Sequence, residues 1–455
     1  MFGKREAEHY DYPILSIYDD VMLPFHYHHI IHNVPLSRRE TILYIHIPFC
    51  AHHCIFCNYY KSKVFNADLV DKYFVALTKE INYYSKELGQ KIVIVGIHFG
   101  GGTPSVVPTK YYNLLIEHIK VSFSLINDLT ISFEGNINSL TKSNYIKELK
   151  KIGINRISFG IQTFKPEIRL QYDLSGNRQK VSKLCSILQN EGISNINADI
   201  MFNFPNQSVN EFEEDIYSTF DLGIQSIDLY SLLVYPETNM YQYLIKKGLW
   251  KEYSLKNSIN KYEKAFIHLA ESESYKYTMS NTVSIKDAPE NTILKSQLGN
   301  NTPDSNNVIG VGTSSRGYIA GIKYKNYVDI HKYIDAIYTY SFGTQLCRRL
   351  SSAEQNTKWL VLFPNFMYLN TLMGKVGKRE SRLLDQLVTD KILIKENNTY
   401  AFVNGKNFWA GNVSALLMDY YETCRMKRTV LMNRKNHYNM YNQDKMQIYE
   451  ENTDD

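Results

Sequence analysis

The sequence predicts an α/β fold: a partial (βα)6 barrel followed by a small C-terminal helical, winged-helix-like domain. Three observations predict it. Six short apolar runs alternate with helical segments between Thr41 and Tyr235. The residues able to do chemistry fall at the C-terminal ends of those runs, where a barrel collects its site. Within Thr357–Val403, LLDQLVTDKILIKENNTYAFV reads as a helix, a turn at Asn397–Asn398 and a strand.

Residues 1–40 are aromatic- and His-rich without clear periodicity and read as an N-terminal extension. His26, His28, His29 and His32 have no Cys or carboxylate pattern beside them, so structural or solvated roles are expected. The barrel is placed over 41–240. TILYIHIP (41–48) is its first strand and stops at Pro48. Over Ala67–Leu88 the residues Leu69, Tyr73, Leu77, Ile81 and Tyr84 recur every three or four positions, the spacing of one helix face. IVIVGIHF (92–99) is the second strand, closed by Gly100, Gly101 and Gly102. Helical residues from Lys110 lead to LTISFE (129–134), and a helix at Asn144–Ile152 leads to RISFGIQ (156–162). A helix at Val181–Gln189 precedes INADIMFNF (196–204), and amphipathic Asn210–Leu222 precedes SIDLYSLLVY (226–235). The runs read as near-continuously apolar, as parallel strands buried on both faces do.

Residues 241–350 are rich in Tyr, Asn and Ser, with weak strand signals and a Gly/Ser turn at GVGTSS (310–315). They read as a barrel-associated substrate region. Residues 351–425 form the small C-terminal domain, and 426–455 read as a polar, mobile tail.

At 44% hydrophobic and 21% charged, the 455 residues describe a soluble globular chain. No run approaches the ~18 consecutive apolar residues of a membrane span. The N-terminus MFGKREAEHYDYP has no apolar stretch of a secretory signal. A cytoplasmic location without membrane partners is expected. The net charge of +5 is small for this size, and nucleic acid would want a concentrated basic stripe. The short patch at Lys427, Arg428, Arg434 and Lys435 is followed by Glu450, Glu451, Asp454 and Asp455, so no nucleic-acid partner is expected.

Of six cysteines, Cys185, Cys347 and Cys424 are scattered and read as small buried hydrophobes. Cys50, Cys54 and Cys57 lie within eight residues and ask for a metal. Structural zinc wants four protein ligands, usually in paired short spacings, and no distant Cys pair is present. A 4Fe–4S cluster has four irons, so three thiolates leave one open to bind and reduce a ligand. Gly100-Gly101-Gly102-Thr103-Pro104 lets backbone pass close to a ligand. No Gly-Lys-Ser/Thr follows, which argues against a phosphate loop. Glu134, Gln162 and Asp199 stand at or near the ends of the third, fourth and fifth strands.

The segments LYIHIPFCAHHCIFCNYY, HFGGGTPS, RISFGIQTF and ADIMFNFPNQ together resemble the oxygen-independent coproporphyrinogen III oxidase-like family of the radical S-adenosylmethionine (SAM) superfamily. The resemblance runs from Thr41 to Tyr235 and continues more weakly through YKYTMSN (275–281), IGVGTSS (309–315) and GKNFWAGNVS (405–414). It implies a 4Fe–4S cluster on Cys50, Cys54 and Cys57. It also implies SAM, one molecule or two, held by Tyr44, Phe56, Gly101, Gly102, Thr103, Glu134, Gln162 and Asp199. An electron donor such as flavodoxin or ferredoxin and a small-molecule substrate complete the expected partners. The implied chemistry is one-electron cleavage of SAM to methionine and a 5′-deoxyadenosyl radical, which abstracts hydrogen from substrate.

Departures from the family pattern shape the functional expectation. Tyr59 stands where the oxidase has a further Cys, and Leu174 where it has an Arg, with Arg178 slightly later. After YKYTMSN the chain reads TVSIKDAPEN, without the HNxxYW-type motif of heme chaperones. The expected activity is a two-SAM methyl or methylene transfer, or a heme-directed reaction. Oxidative decarboxylation of coproporphyrinogen III and a non-enzymatic heme carrier are the alternatives.

Overall fold

The computed structural model describes residues 24–34, 39–52, 54–57, 60–63, 66–142, 144–235, 238–250, 253, 259–288, 307–372 and 374–418. The basic patch of the tail, Cys424 and Tyr59 lie outside these residues.

Six parallel strands lie side by side in chain order. They are β1 (Arg39–Ile47), β2 (Ile92–Gly101), β3 (Leu125–Gly135), β4 (Arg156–Gln162), β5 (Asn195–Phe202) and β6 (Ser226–Ser231). Some of the helices between them start at side-chain caps. Asn66 accepts from the Leu69 N–H and opens the helix Ala67–Leu88. A Ser208/Glu211 capping box opens the helix Val209–Phe220.

One expectation about these strands needs correction. They are not apolar on both faces. Leu43, Ile45, Phe99, Phe133, Phe159 and Leu229 point to one face and are buried in the main core with the helices. Burying each such side chain stabilises the fold by about 1.5–3 kcal/mol. The alternate positions form polar rows across the other face. One row is Tyr44, His98, Ser132, Arg156 and Asn195. The next is Glu134, Ser158, Asn197 and Ser226. The third is Gly160, Asp199 and Asp228. The physical reason is the two-residue strand period: a concave face that lines a lumen instead of a packed interior can be polar at every second position.

The region with weak strand signals adds six strands to the same sheet. β7 (Tyr275–Met279) and β8 (Thr282–Ile285) extend the β6 edge in antiparallel fashion. β9 (Asn307–Val311) pairs in parallel with β1. β10 (Arg316–Ile319), β11 (Ile322–Asn326) and β12 (Thr344–Arg349) follow antiparallel. The sheet has twelve strands in the order β12-β11-β10-β9-β1-β2-β3-β4-β5-β6-β8-β7.

The C-terminal piece carries the helices Ser352–Leu362, Lys378–Thr389 and Ala410–Leu417. It adds a three-stranded sheet of β13 (Tyr368–Asn370), β14 (Leu393–Glu396) and β15 (Thr399–Phe402), with Asn397 at φ 53° in the expected turn. Glu263 ties it to the barrel by accepting from Lys406 Nζ (2.8 Å) and Trp409 Nε1 (2.7 Å).

In the N-terminal helix Pro24–His32, His28 and His32 bond to the helix Ala67–Leu88. His28 meets the Tyr83 hydroxyl at 3.2 Å and His32 pairs with Glu87 at 2.7 Å. Cys185 and Cys347 are buried. Among the described residues no helix is long and apolar enough to cross a membrane.

Candidate functional site

Cys50 ends a two-residue strand, Phe49–Cys50, that pairs with Ser62–Lys63 immediately after β1. Its Sγ lies 3.4 Å from the Thr103 hydroxyl. Cys54 and Cys57 follow in a half-buried turn closed by the Cys57 N–H on the Cys54 carbonyl at 3.2 Å. Burial, reinforced by the Cys57 charge, pushes the Cys54 thiol up to about 11. Burial also raises Cys50. Thiolates here require a neighbouring cation, which iron supplies.

Among the described residues no three His, Cys, Asp or Glu side chains converge on a point that would hold a single metal ion. A cubane needs no such convergence, because each thiolate ligates a different iron. His52 turns to Asp173, at 3.2 Å from its carbonyl and 3.3 Å from its carboxylate.

An apolar roof covers the cysteine turn. Ile55 and Phe56 pack against a second cluster that includes Tyr172, Leu174, Met201, Phe204, Met240 and Leu244. The Met240 N–H donates to the Ile55 carbonyl at 2.8 Å. Leu174 is therefore part of the roof. Arg178 is exposed, its guanidinium 5.2 Å from the Phe164 ring.

Beside the cysteines the glycine turn is stitched to the end of β1. The Gly102 N–H donates to the Ile47 carbonyl (2.8 Å) and the Thr103 N–H to the Phe49 carbonyl (2.7 Å). Gly101 has φ +114°, and a Cβ there would lie 2.5 Å from the His46 ring. A Cβ on Gly102 would lie 2.8 Å from the Phe49 carbonyl oxygen, and one on Gly100 would lie 2.8 Å from the His98 ring and 2.9 Å from the Glu134 carboxylate.

Glu134 reaches this turn from β3. Its Oε2 accepts from the Gly101 N–H at 3.1 Å and its Oε1 meets His98 Nε2 at 2.9 Å. Burial would raise its carboxyl, but His98 and the Gly101 N–H outweigh that and hold it below the usual range. Tyr44 stacks on His98, ring centroids 5.7 Å apart, and its hydroxyl meets His46 Nδ1 at 3.1 Å. Burial lowers His46 to about 4, so its ring is neutral near pH 7. His46 Nε2 and His98 Nδ1 are buried with no hydrogen-bond partner among the described residues. Two orphaned nitrogens around a glycine cradle fit a polar ligand placed against the cysteine turn.

Gln162 and Asp199 meet further along the mouth. Gln162 has φ 70°, and its side chain folds over Gly160, whose Cβ would also come within 4.0 Å of Asp199. Arg169 holds this strained turn by donating to the Ile161 carbonyl (2.8 Å) and the Thr163 carbonyl (2.5 Å).

The expected residues thus fall into three groups at one mouth. Cys50, Cys54, Cys57 and Thr103 form one. Tyr44, Gly101, Gly102 and Glu134 form the second, and Gln162 with Asp199 the third. Phe56 sits in the roof beside the first. His46, His98, Arg156, Asn197 and Asp228 were missed. Their signal was available as alternation: LYIHI, IHFGG, ISFEG, RISFG, NADIM and SIDLY each carry polar or small residues at every second position.

Residues 44–216 match the family model described as the Radical SAM superfamily. The chain is 28% identical over 313 residues to the heme chaperone HemW of Bacillus subtilis, covering 69% of this chain and 80% of that one. It is 31% identical over 207 residues to anaerobilin synthase of Escherichia coli O157:H7, covering 45% and 46%. It is 22% identical over 345 residues to the oxygen-independent coproporphyrinogen III oxidase of Bradyrhizobium diazoefficiens, covering 74% and 75%. In fold it is similar to the coproporphyrinogen III oxidase HemN of Escherichia coli. There the TM-score is 0.75 at 16% identity, over 90% of this chain and 97% of that one.

Proposed function

We propose, for a chain that carries a radical SAM domain and is homologous to coproporphyrinogen oxidase-like proteins of the HemW and HemN type, that it cleaves SAM reductively to modify a tetrapyrrole-type substrate. The observation that supports it best is the meeting, at one mouth, of the three-cysteine turn, the glycine cradle and two orphaned histidine nitrogens.

Cys50, Cys54 and Cys57 would hold the 4Fe–4S cluster, and the cradle with Glu134 would hold SAM. When bound, they supply one-electron cleavage of SAM and a 5′-deoxyadenosyl radical for hydrogen abstraction. The chain's own residues do the rest. The Glu134 carboxylate, kept in place by His98 and the Gly101 N–H, would offer a negative oxygen to a cationic group of SAM. Neutral His46 offers Nε2 to the ligand without adding charge. The roof of Phe56, Met240 and Leu244 would shield one side of the cysteine turn from water.

The tetrapyrrole part rests on the relatives' names, which speak of coproporphyrinogen, heme and anaerobilin. On the sheet extension Arg316 and Lys325 are register partners on the face that an acidic substrate would meet. Methyl or methylene transfer draws no support from these relatives. A heme carrier remains the second reading, favoured by the relative named as a heme chaperone.

Anaerobic reconstitution tests the proposal. About four irons and four sulfides per chain are expected, with 5′-deoxyadenosine formed from SAM under dithionite. Zinc in place of iron, or no deoxyadenosine, overturns it. A Soret shift with heme but no SAM cleavage favours the carrier.

Gly101→Val is expected to leave the iron content unchanged and weaken SAM binding at least about 100-fold, because a β-branched residue is an outlier at φ +114° and would collide with His46. Equilibrium binding checks this, and unchanged affinity removes Gly101 from the site.

A further inference from the structure

Asp228 lies on the lumen face of β6 as the register partner of Asp199 on β5. Neighbouring strands are about 4.8 Å apart, so the two carboxyl groups share one small space. Asp228 is held by neutral donors. Its Oδ2 accepts from Asn197 Nδ2 at 3.0 Å and its Oδ1 from the Thr282 hydroxyl at 2.5 Å. The Asn197 amide also meets the Ser226 hydroxyl, its Oδ1 accepting at 2.7 Å. Each Asp228 oxygen thus has a donor placed on it.

Asp199 receives no such bond among the described residues. The charged groups that face it are Asp228 from β6, Glu134 from β3 and Arg156 from β4. Arg156 is buried, bonded to the Ser132 hydroxyl at 2.9 Å, and its charge is shared among all three carboxylates. Three carboxylates against one guanidinium leave room for a proton. Burial first, then the charges of Asp228 and Glu134, hold the Asp199 carboxyl well above the usual range.

We propose that Asp228 is a positioning residue of this site: it makes the Asp199–Asp228 pair keep one proton in the ligand-free lumen, which is released when a cationic ligand enters. The proton passes from the Asp199 carboxyl to solvent, and no other bond changes. The ligand half rests on the SAM reading, since SAM brings a sulfonium and an ammonium group. The proton half does not.

Infrared difference spectra of the cluster-loaded, ligand-free chain against pH test the proton half. A protonated-carboxyl band is expected to persist above the ordinary carboxylate range, to vanish in Asp199→Asn, and to titrate about one unit lower in Asp228→Asn. Thr282→Val removes a donor from the carboxylate pair and should move the pair's midpoint up, which keeps the test alive if Asp228→Asn does not fold. No band that depends on Asp199, or an unmoved midpoint in the variants, overturns the proposal.

Calorimetry with SAM tests the ligand half. Titrations in two buffers of different ionisation heat, one pH unit below the infrared midpoint, should show about one proton released per SAM and about half of that in Asp228→Asn. Equal release in both chains overturns the coupling. No SAM heat in either chain counts against the SAM reading and leaves the infrared result to decide the pair.

Discussion

Replacing Cys54 with alanine is expected to remove iron and SAM cleavage together while leaving the fold in place. The turn that carries Cys54 does not depend on metal for its path. Cys50 is anchored in a strand pair, the Met240 N–H holds Ile55, and Lys61 Nζ donates to the Cys57 carbonyl at 3.3 Å. Alanine takes away a ligand and little else. With two thiolates left, iron is expected to fall from about four per chain to background. Deoxyadenosine should fall below detection, because the electron that cleaves SAM comes from the cluster. Iron analysis, product assay and far-ultraviolet circular dichroism read the three consequences separately. SAM cleavage at the wild-type level would show that the ligands are misassigned.

Glu80→Ala is expected to lower stability by about 3–5 kcal/mol. Glu80 is fully buried on the helix Ala67–Leu88 and accepts four hydrogen bonds. They come from the Gly312 N–H (2.8 Å), the Gly343 N–H (2.9 Å), Asn326 Nδ2 (2.8 Å) and the Tyr333 hydroxyl (2.7 Å). One carboxyl thus pins the β9–β12 extension to the first helix of the barrel. Alanine leaves four buried donors without acceptors, each costing about 1–3 kcal/mol, partly offset by no longer burying the carboxyl. Denaturant unfolding checks the loss, and limited proteolysis should show cleavage entering residues 307–349 first.

Glu80 also sets a pH dependence. Burial raises its carboxyl above the ordinary value despite the four donors. The folded chain then holds a proton that the unfolded chain has lost. The contribution of this group is complete below the unfolded value and falls as pH rises through the raised one. Glu80→Gln should flatten that slope, and an unchanged slope would show that another group sets it.

The parallel strands and the helices between them were legible in the sequence because their signals are local. Ala67–Leu88 is both the expected helix and the observed one, since the apolar spacing and the Asn66 cap agree. Arg156–Gln162 is likewise the strand that RISFGIQ suggests. The cysteines were legible because their spacing is short. The strands beyond Tyr235 were not. YKYTM, RGYI and IKYKN have no apolar run: each pairs with a neighbour in a tight hairpin, but their positions are filled by Lys, Arg and Tyr.

By itself, then, the sequence determined the alternation of strands and helices, the three-cysteine turn and the glycine turn, all matters of neighbours a few residues apart. Only the tertiary structure decided which polar side chains meet. Glu134 joins His98 across 36 positions, Thr103 joins Cys50 across 53, and Asp228 joins Thr282 across 54. The physical reason is register. Side chains on neighbouring parallel strands come face to face only after a helix has carried the chain back, and nothing local records where that return lands.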